Sequence, residues 1–489
     1  MRISISFISA ALLTLSACAS RDIGPINDHE TIIDSKRTDY IADAGDDGST
    51  VVALAFSGGG TRSAAFAYGV LQALDEIIID EYPDKRRLIE NVRLVSGTSG
   101  GAVAAAYFGM AGTEGYQDFR EKFLYRNAEQ NLRTSLLVPQ NVYHTINGGL
   151  NDRNGLSLWL DKNLFHGKTF ASLRYRDAPT VWLTASDIYN RTPFHFTEDT
   201  FDALCSDLSK VRLSDAVSAS AAVPAAFAPV VVSAKQTKCN YQPPQWLKST
   251  LVNPNAPLRL NAYARSLYAY RNDPDQHYIK LLDGGLTDNI GVTPFALARA
   301  GANNGHGPLS PEEAVKLRKL IFIVADAGTA GQDPWVKTLH GPVLSKVAAA
   351  TAYTSISASV RDGFDALKLA TTQWQKDLIS YRCALPLTTV KRHRGTLQGW
   401  NCKDVSLIVE ALSFRDMDAE TQKRLNRIPT RFQLPKEQVD LAIESGRKAV
   451  IQNENIQNAV LDIQKFAQVS QAKHVLPVKR QAAQLPVFN

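Results

Sequence analysis

Two glycine-rich turns near the start of the chain carry the residue types that acyl transfer requires. The first turn, Ser57–Arg62, reads SGGGTR and follows the apolar run Val51–Phe56. The second, Ser96–Gly101, reads SGTSGG and follows Val92–Val95. Glycines let backbone N–H groups converge on an anion. A G-x-S-x-G pattern after a strand is typical of a sharp elbow that exposes a serine hydroxyl. We therefore predict that Ser99 is the nucleophile of a serine hydrolase.

The base that would activate Ser99 is less obvious. A Ser–acid–His triad on the α/β-hydrolase fold has several strands ahead of its nucleophile, whereas one strand precedes the serine strand here. Four histidines lie in loop-like settings without a motif: His277, His306, His340 and His393. Asp283 is the better partner, because it follows the apolar strand His277–Leu282 and sites form at the carboxyl edge of open α/β sheets. We expect its carboxylate to project at the same edge as Ser99.

The elements that must position these residues alternate between strands and helices. Six strands are predicted: Val51–Phe56, Val92–Val95, Thr180–Asp187, His277–Leu282, Lys319–Ala325 and Val405–Leu412. The predicted helices cover Arg62–Asp80, Gly100–Ala111, Leu156–Leu164, Thr293–Ala300, Pro311–Leu317, Pro342–Leu378 and Lys436–Phe466. Apolar strands alternating with helices indicate an α/β fold of three α/β/α layers with a mostly parallel central sheet.

Three stretches read as loops that either cover the site as a lid or pack beneath a loop. They are Leu132–Gly149, Cys239–Asn255 and Tyr263–Tyr270. Apolar side chains on such segments favour a lipid entry if they are exposed and ordinary packing if they are buried.

Four sequence blocks, taken together, resemble the patatin-like phospholipases. They are the glycine loop Gly58–Arg62, the elbow with Gly97 and Gly101 around Ser99, the small-residue stretch Ser218–Pro229, and the Asp-Gly-Gly motif Asp283, Gly284, Gly285. They occur in the family's order and cover about Val51 to Ala300. Ser57 and Ser63 depart from the Asp and Gly that many members have at these positions.

The resemblance implies a patatin-like fold and a Ser99–Asp283 dyad that works without a histidine. It implies an oxyanion hole formed by the N–H groups of Gly58, Gly59 and Gly60, an acyl-enzyme intermediate, and no metal or cofactor. The implied activity is lipolytic acyl-ester hydrolysis, as a phospholipase A or lysophospholipase. Arg62 would either favour a lipid phosphate or brace the loop.

Other functions compete with this interpretation. A neutral-lipid esterase, a thioesterase or an acyltransferase could use the same fold. A surface lipoprotein that retains the fold without turnover is a further alternative. A dinucleotide site is disfavoured, because Ser63 replaces the third glycine of that fingerprint and no acidic residue ends the strand Val92–Val95.

The composition is that of a globular protein, and the start of the chain predicts export. The chain has 489 residues, 44% hydrophobic and 21% charged, and its net charge of +6 is too small to indicate nucleic acid binding. Residues 1–17 read as a signal peptide whose Leu-Ser-Ala-Cys ending resembles that of bacterial lipoproteins. Cys18 would then be acylated and tethered through residues 18–48 to a bilayer, which we expect to be the Gram-negative outer membrane. A soluble exported protein cut near Ala19 is the alternative.

The predicted domains follow from these boundaries. Residues 49–318 form the catalytic domain, and residues 319–489 add strands and helices to the same domain. In an oxidising compartment the remaining cysteines favour the pairs Cys205–Cys239 and Cys383–Cys402 by proximity, although free buried thiols are the alternative.

Overall fold

A central sheet of eight strands organises the chain. The structure is a computed structural model, and it describes residues 24–27, 47–81, 85–133, 149–175, 178–224, 226–234, 239–331 and 334–475. The strands of this sheet are β1 (Thr50–Phe56), β4 (Val92–Thr98), β5 (Thr180–Asp187), β6 (Thr192–His195), β7 (Val230–Ser233), β8 (Tyr278–Asp283), β9 (Lys319–Asp326) and β10 (Ser406–Ser413). A separate pair is formed by β2 (Ile78–Asp80) and β3 (Arg86–Arg87).

The sheet is mostly parallel, as predicted. Its order is β10-β9-β1-β4-β5-β8-β7, with β6 also paired to β5. Strands β10, β9, β1, β4 and β5 run parallel to one another, and β6 and β8 run antiparallel to β5. Every residue of β1 and β4 is buried, which is why both strands read as nearly continuous apolar runs.

Helices cover both faces of the sheet. They are α1 (Thr61–Glu76), α2 (Gly100–Gly115), α3 (Leu156–Leu160), α4 (Glu198–Ala203), α5 (Leu213–Ser220), α6 (Gln245–Val252), α7 (Leu258–Asn272), α8 (Gly285–Asp288), α9 (Thr293–Gly301), α10 (Pro311–Lys316), α11 (Leu344–Ala384), α12 (Leu387–Arg394), α13 (Ala419–Leu425), α14 (Lys436–Gln452) and α15 (Glu454–Val475).

Alternate residues of one strand enter two different cores, which demonstrates the three layers. Val52, Leu54 and Phe56 of β1 pack in one apolar cluster. Val51 and its i+2 neighbours in the same strand pack in the other, which includes Trp374 of α11. This is the side-chain period of a strand that is buried on both faces.

The chain beyond Arg318 continues the same sheet rather than forming a separate unit. Strand β9 pairs with β1 along its length, and β10 pairs with β9. Helix α14 packs on α1 with the backbones in close contact. An added Cβ would lie 1.9 Å from the Ile443 carbonyl oxygen at Gly69, and 2.1 Å from the Phe66 carbonyl oxygen at Gly446. The helix that follows the glycine loop therefore depends on the C-terminal region for its packing.

Several element predictions were wrong at their ends or in kind. The predicted helix Arg62–Asp80 ends at Glu76 and gives way to β2, while Lys436–Phe466 is two helices that meet at Asn453. The stretch Tyr263–Tyr270 lies within helix α7.

Several side chains of the predicted lid segments pack into the domain. Trp246 of α6 stacks on Tyr263 of α7 with ring centroids 6.0 Å apart, and Leu247 and Tyr270 are buried. Val252 and Tyr268 of the same segments are 80% and 52% exposed, so the lid interpretation is wrong for the buried side chains and stays a prediction for the exposed ones. Of the third segment, Leu132–Gly149, residues 134–148 lie outside the described residues.

Part of the predicted tether is packed on the domain. Residues Ile26 and Asn27 are buried against β7, where the Ile26 N–H donates to the Val231 carbonyl at 3.0 Å. The Asn27 side chain bonds to the backbone of Ser233 through both its amide nitrogen and its oxygen. A uniformly free tether over 18–48 is therefore wrong at 24–27. The signal peptide 1–17 and Cys18 lie outside the described residues.

Two disulfides join the cysteines that were paired by proximity. Cys205 is bonded to Cys239, and Cys383 is bonded to Cys402. Within the part of the chain that the structure describes, no helix has the length and apolar character needed to cross a bilayer.

Candidate active site

Ser99 occupies a strained elbow between β4 and α2. Its backbone has φ 53° and ψ −119°, a region that favours glycine. Such a conformation costs on the order of 1–3 kcal/mol and persists only where neighbouring groups hold it. The Ser99 N–H donates to Oγ of Ser220 at 2.8 Å, and Ser220 in turn donates to the Thr184 carbonyl at 2.5 Å. Neighbouring β5 and α5 thus hold the nucleophile in place.

The hydroxyl of Ser99 contacts the predicted base directly. Its Oγ donates to Oδ2 of Asp283 at 2.9 Å, while Oδ1 of Asp283 accepts from the Gly285 N–H at 2.8 Å. Ser99 is 4% exposed and Asp283 is 8% exposed. Burial raises the pKa of Asp283 from 3.8 to about 6, and the two hydrogen bonds oppose the rise only in part.

Asp283 reaches the site on a strand that runs against the sheet. It is the last residue of β8, which is antiparallel to β5 and pairs Asp283 with Ala185. The carboxylate lies beside Ser99 as predicted. The predicted cause was wrong, because β8 does not end at the carboxyl edge as a parallel strand would.

The backbone around Asp283 is held on both sides. Its N–H donates to the Ala222 carbonyl at 2.9 Å, and its carbonyl accepts from Oγ of Ser186 at 2.8 Å. At Gly284 an added Cβ would lie 2.2 Å from the Thr184 carbonyl oxygen, so the motif fits tightly against β5. The small residues before Pro229 thus allow α5 to approach the strand that carries the base.

One of the three predicted oxyanion donors is already engaged. The Gly58 N–H donates to the carbonyl oxygen of Asn289 at 2.9 Å, so the assignment of Gly58 to the oxyanion hole was wrong for this conformation. Gly58 instead permits close packing, because an added Cβ would lie 3.3 Å from Cβ of Ser99. Within the described ranges, the N–H groups of Gly59 and Gly60 have no hydrogen-bond acceptor.

The glycine loop is clamped between the elbow helix and the C-terminal region. Gly60 has φ 64°, and an added Cβ there would lie 2.4 Å from the carbonyl oxygen of Arg431. At Gly100 an added Cβ would lie 2.0 Å from the Gly60 carbonyl oxygen. In the elbow itself, Gly97 lies in β4 and Gly101 lies in the first turn of α2 against the Phe56 carbonyl.

Arg62 holds the glycine loop in place through hydrogen bonds to the backbone of the C-terminal region. It is buried, and its guanidinium donates to the carbonyl oxygens of Ala327 at 3.0 Å and Ile428 at 2.6 Å. Burial lowers the pKa of Arg62 to about 10, against the influence of Tyr353 and Asp326. Ser57, which replaces the usual Asp, accepts from the Ala327 N–H at 2.9 Å. Both residues therefore tie the loop to the chain after β9.

Sequence reasoning missed three residues that position the site. Ser220 lies in the quoted small-residue block but was given no role, and its hydroxyl holds Ser99. Asp288 accepts from the Val292 and Thr293 N–H groups at the start of α9, and its carbonyl accepts from Thr98 Oγ1 at 2.8 Å. Asn289 binds Gly58. The only signal for the last two was their place shortly after Asp-Gly-Gly.

No histidine among the described residues hydrogen bonds to Ser99 or Asp283. Of the four that were considered, His306 bonds through Nδ1 to the Leu309 carbonyl at 2.7 Å, away from the dyad. His195 is buried beside Thr184, and burial lowers its pKa to about 3. The alternative of a Ser–acid–His triad therefore has no support in this geometry.

A family comparison covers the part of the chain that holds the four blocks. Residues 54–296 match the family model described as patatin-like phospholipase. The chain contains a patatin-like phospholipase domain. This match spans both glycine turns and Asp283.

The patatin-like chain also resembles solved structures at low identity. It is similar to human GIVD cytosolic phospholipase A2 at 12% identity and a TM-score of 0.38, covering 86% of this chain and 60% of that one. It is similar to VipD from Legionella pneumophila at 12% identity and a TM-score of 0.30, covering 94% of this chain and 73% of that one. The chain thus spans 60% of the human protein's length. No curated protein sequence matches it.

A cleft opens in the patatin-like domain near the base. Its cavity volume is small, about 10 Å³, and it is lined partly by Gly24, Asn151, Ala222, Phe227 and Val231. The carbonyl of Ala222 accepts from the Asp283 N–H, so the cleft lies one residue behind the carboxylate. Ser99 and Asp283 themselves do not line it.

Proposed function

We propose that this patatin-like domain hydrolyses acyl esters of membrane lipids, as a phospholipase A or lysophospholipase. The observation that carries the proposal is the 2.9 Å hydrogen bond from Ser99 Oγ to Asp283 Oδ2 in a buried site. An ordinary aspartate is a poor base, whereas a carboxylate with a pKa of about 6 accepts a proton more readily and is still ionised at neutral pH.

The first half of the reaction forms an acyl-enzyme. Oγ of Ser99 attacks the ester carbonyl carbon while its proton passes to Oδ2 of Asp283. The N–H groups of Gly59 and Gly60 hydrogen bond to the oxyanion, and such donors contribute on the order of 3 kcal/mol each in other acyl-transfer enzymes. The tetrahedral intermediate then expels the alkoxide, which takes the proton from Asp283, and the acyl group stays on Ser99.

The second half releases the fatty acid. Water attacks the acyl carbonyl and gives its proton to Asp283, and the same two N–H groups bind the oxyanion. When the C–Oγ bond breaks, Ser99 takes that proton back. The dyad therefore returns to its starting state without any group beyond the chain and water.

Product analysis tests this function. Mixed phospholipid vesicles are incubated with wild type, Ser99→Ala and Asp283→Asn, and the lipids are identified by mass spectrometry. Free fatty acid with lysolipid from wild type alone is the expected result. Release only from neutral esters or thioesters, or transfer to another acceptor, would favour the alternative substrates.

A non-catalytic lipoprotein makes a different prediction. A fluorophosphonate probe labels an activated serine, so we expect wild type to be labelled and Ser99→Ala not to be. A wild-type protein that resists labelling while folded would support the non-catalytic alternative.

We also propose that the protein is exported and anchored through an acylated Cys18. The two disulfides support export, because such bonds persist in oxidising compartments. The outer membrane remains our expected destination. Metabolic labelling with a palmitate analogue should mark wild type and not Cys18→Ser, followed by fractionation of the two membranes. A soluble, unlabelled wild type would indicate cleavage near Ala19.

A further inference from the structure

A segment after β9 exposes several large apolar side chains to solvent. We name Trp335–Tyr353 the apolar arm. It comprises a loop and the first part of α11. Leu339 is 100% exposed, Val336 is 73% and Val343 is 69%. Val347 and Tyr353 on the helix are also exposed, at 42% and 57%. Exposed apolar side chains concentrated in one short stretch mark an interaction site on a soluble domain.

The described side chains in the helical part of the arm lie outside both apolar clusters. Helix α11 spans 41 residues, about 60 Å at 1.5 Å per residue. Within the described side chains, its first contribution to either apolar cluster is Val360, and its fully buried residues Leu367, Trp374 and Leu378 all come later. The fold therefore uses the second half of this helix and leaves the first half available.

The helical end of the arm lies near the candidate active site. The arm follows β9, whose last residue Asp326 lies at the same sheet edge as the glycine loop. Where α11 joins the body, Oγ of Ser359 donates to the carbonyl of Thr287 at 3.0 Å, four residues after Asp283. Tyr353 lies within electrostatic range of Arg62. The C-terminal end of the arm thus lies on the side of the molecule that carries the dyad.

The charged residues of the arm indicate which class of partner it binds. No Asp or Glu occurs from Pro334 to Arg361, whereas Lys337 and Lys346 lie within the arm. Exposed apolar side chains, a tryptophan and lysines without acidic neighbours are the features of segments that lie in the interface of an anionic bilayer. A protein partner would require no such bias against acidic residues.

We propose that the apolar arm docks on an anionic phospholipid bilayer and thereby holds the mouth of the site at the lipid surface. This inference rests on the proposed lipolytic function for its consequence, but the docking itself requires no catalysis. The side chains of Val336 and Leu339 enter the acyl boundary, and Lys337 and Lys346 remain among the phosphate groups.

A position-specific probe tests the docking. Leu339→Cys is labelled with an environment-sensitive fluorophore in the full chain carrying Ser99→Ala and Cys18→Ser, so that neither turnover nor acylation contributes. The matched control is Leu369→Cys, which replaces a leucine of α11 that is 73% exposed in the core-packed half of that helix. With vesicles of phosphatidylcholine and phosphatidylglycerol, we expect a blue shift and an increase of about threefold at position 339 and no change at 369. Equal spectra at position 339 with and without vesicles would overturn the proposal.

Charge variants separate docking from catalysis. The double variant Val336→Glu, Leu339→Glu should reduce vesicle binding and vesicle hydrolysis by at least about tenfold, because glutamates cannot enter the acyl boundary. Leu369→Glu should match wild type. Unchanged vesicle binding in the double variant, or a lipid-free dimer of wild type that the double variant dissociates, would contradict bilayer docking. Vesicle binding by a wild type that hydrolyses no ester would leave the docking intact and remove the proposed function.

Discussion

The hydroxyl of Ser99 and the carboxylate of Asp283 lie 2.9 Å apart although 184 residues separate them in the chain. Strand β8 is antiparallel to β5, and its last residue ends beside the elbow that carries Ser99. The pair is buried, and among the described residues the Gly285 N–H is the one other hydrogen-bond donor to the Asp283 carboxylate. Burial is the reason for the raised pKa of Asp283, and these two hydrogen bonds oppose the rise only in part.

The pH dependence of hydrolysis should follow Asp283. Its pKa is about 6, so the carboxylate is protonated below that pH and cannot accept the serine proton. We expect kcat/KM for a soluble ester to rise about tenfold per pH unit below pH 6 and to level off above pH 7. A midpoint near pH 4, or a midpoint that disappears when one histidine is replaced, would contradict the dyad.

Asp283→Asn should inactivate the enzyme and stabilise its fold. The pKa of Asp283 lies above its ordinary 3.8, so the folded state keeps a proton that the unfolded chain releases between about pH 4 and pH 6. Wild type therefore loses stability as the pH rises through that window. Above pH 6 the variant should be more stable by up to about 3 kcal/mol in urea unfolding. The gain should vanish near pH 4, and a gain independent of pH would refute this explanation.

Ser99→Gly should be more stable than Ser99→Ala, although both are inactive. The φ of 53° at this position is strained for alanine and not for glycine. We expect a difference of about 1 kcal/mol after the entropy that glycine loses on folding is subtracted. The control pair is Ser380→Gly and Ser380→Ala in helix α11, where the order should reverse. If alanine is more stable than glycine at position 99 as well as at position 380, the backbone of Ser99 is not strained.

Arg62→Lys should weaken the fold without changing substrate preference. A lysine cannot reach both the Ala327 and Ile428 carbonyls in the fork geometry of the guanidinium. The free energy of unfolding should fall by about 2 kcal/mol or more. The ratio of activities on a phospholipid and a neutral ester with the same acyl chain should stay constant. A selective loss on the phospholipid would instead assign Arg62 to the phosphate.

Gly446→Ala, a substitution in the C-terminal helix α14, should destabilise the catalytic domain. Alanine normally stabilises a helix by about 1 kcal/mol relative to glycine. Here the added Cβ would lie 2.1 Å from the Phe66 carbonyl oxygen and force α14 away from α1. We expect a lower Tm and reduced hydrolysis. Gly331→Ala, which has no neighbouring atom within 4 Å, is the control and should leave both unchanged.

Local patterns were sufficient to predict much of this fold. The central strands β1, β4, β5 and β9 are buried on both faces, so each appears in the sequence as an apolar run between glycine or polar boundaries. The pairing of Ser99 with Asp283 was also predicted, because glycines mark both turns and the family's motifs name the residues.

Long-range contacts explain what could not be predicted. The reversed direction of β8 depends on which strand it joins, and its apolar pattern is the same in either direction. The loss of Gly58 as an oxyanion donor depends on the Asn289 carbonyl, a residue more than 200 positions away that no local pattern connects to it. Tyr270 was assigned to a loop, whereas it is buried and donates to Asp187.

Because Ile26 and Asn27 are docked on β7, the distance between the catalytic domain and a membrane anchor at Cys18 is limited. Six peptide units separate Cys18 from Gly24, and a fully extended chain of that length reaches only on the order of 20 Å. Gly24 also lines the cleft behind Asp283. If Cys18 is acylated, this short linker keeps the catalytic centre close to the leaflet into which the acyl chains of Cys18 insert. Such an enzyme would degrade its own host membrane rather than one across the periplasm, so cells that produce it would need to restrain it.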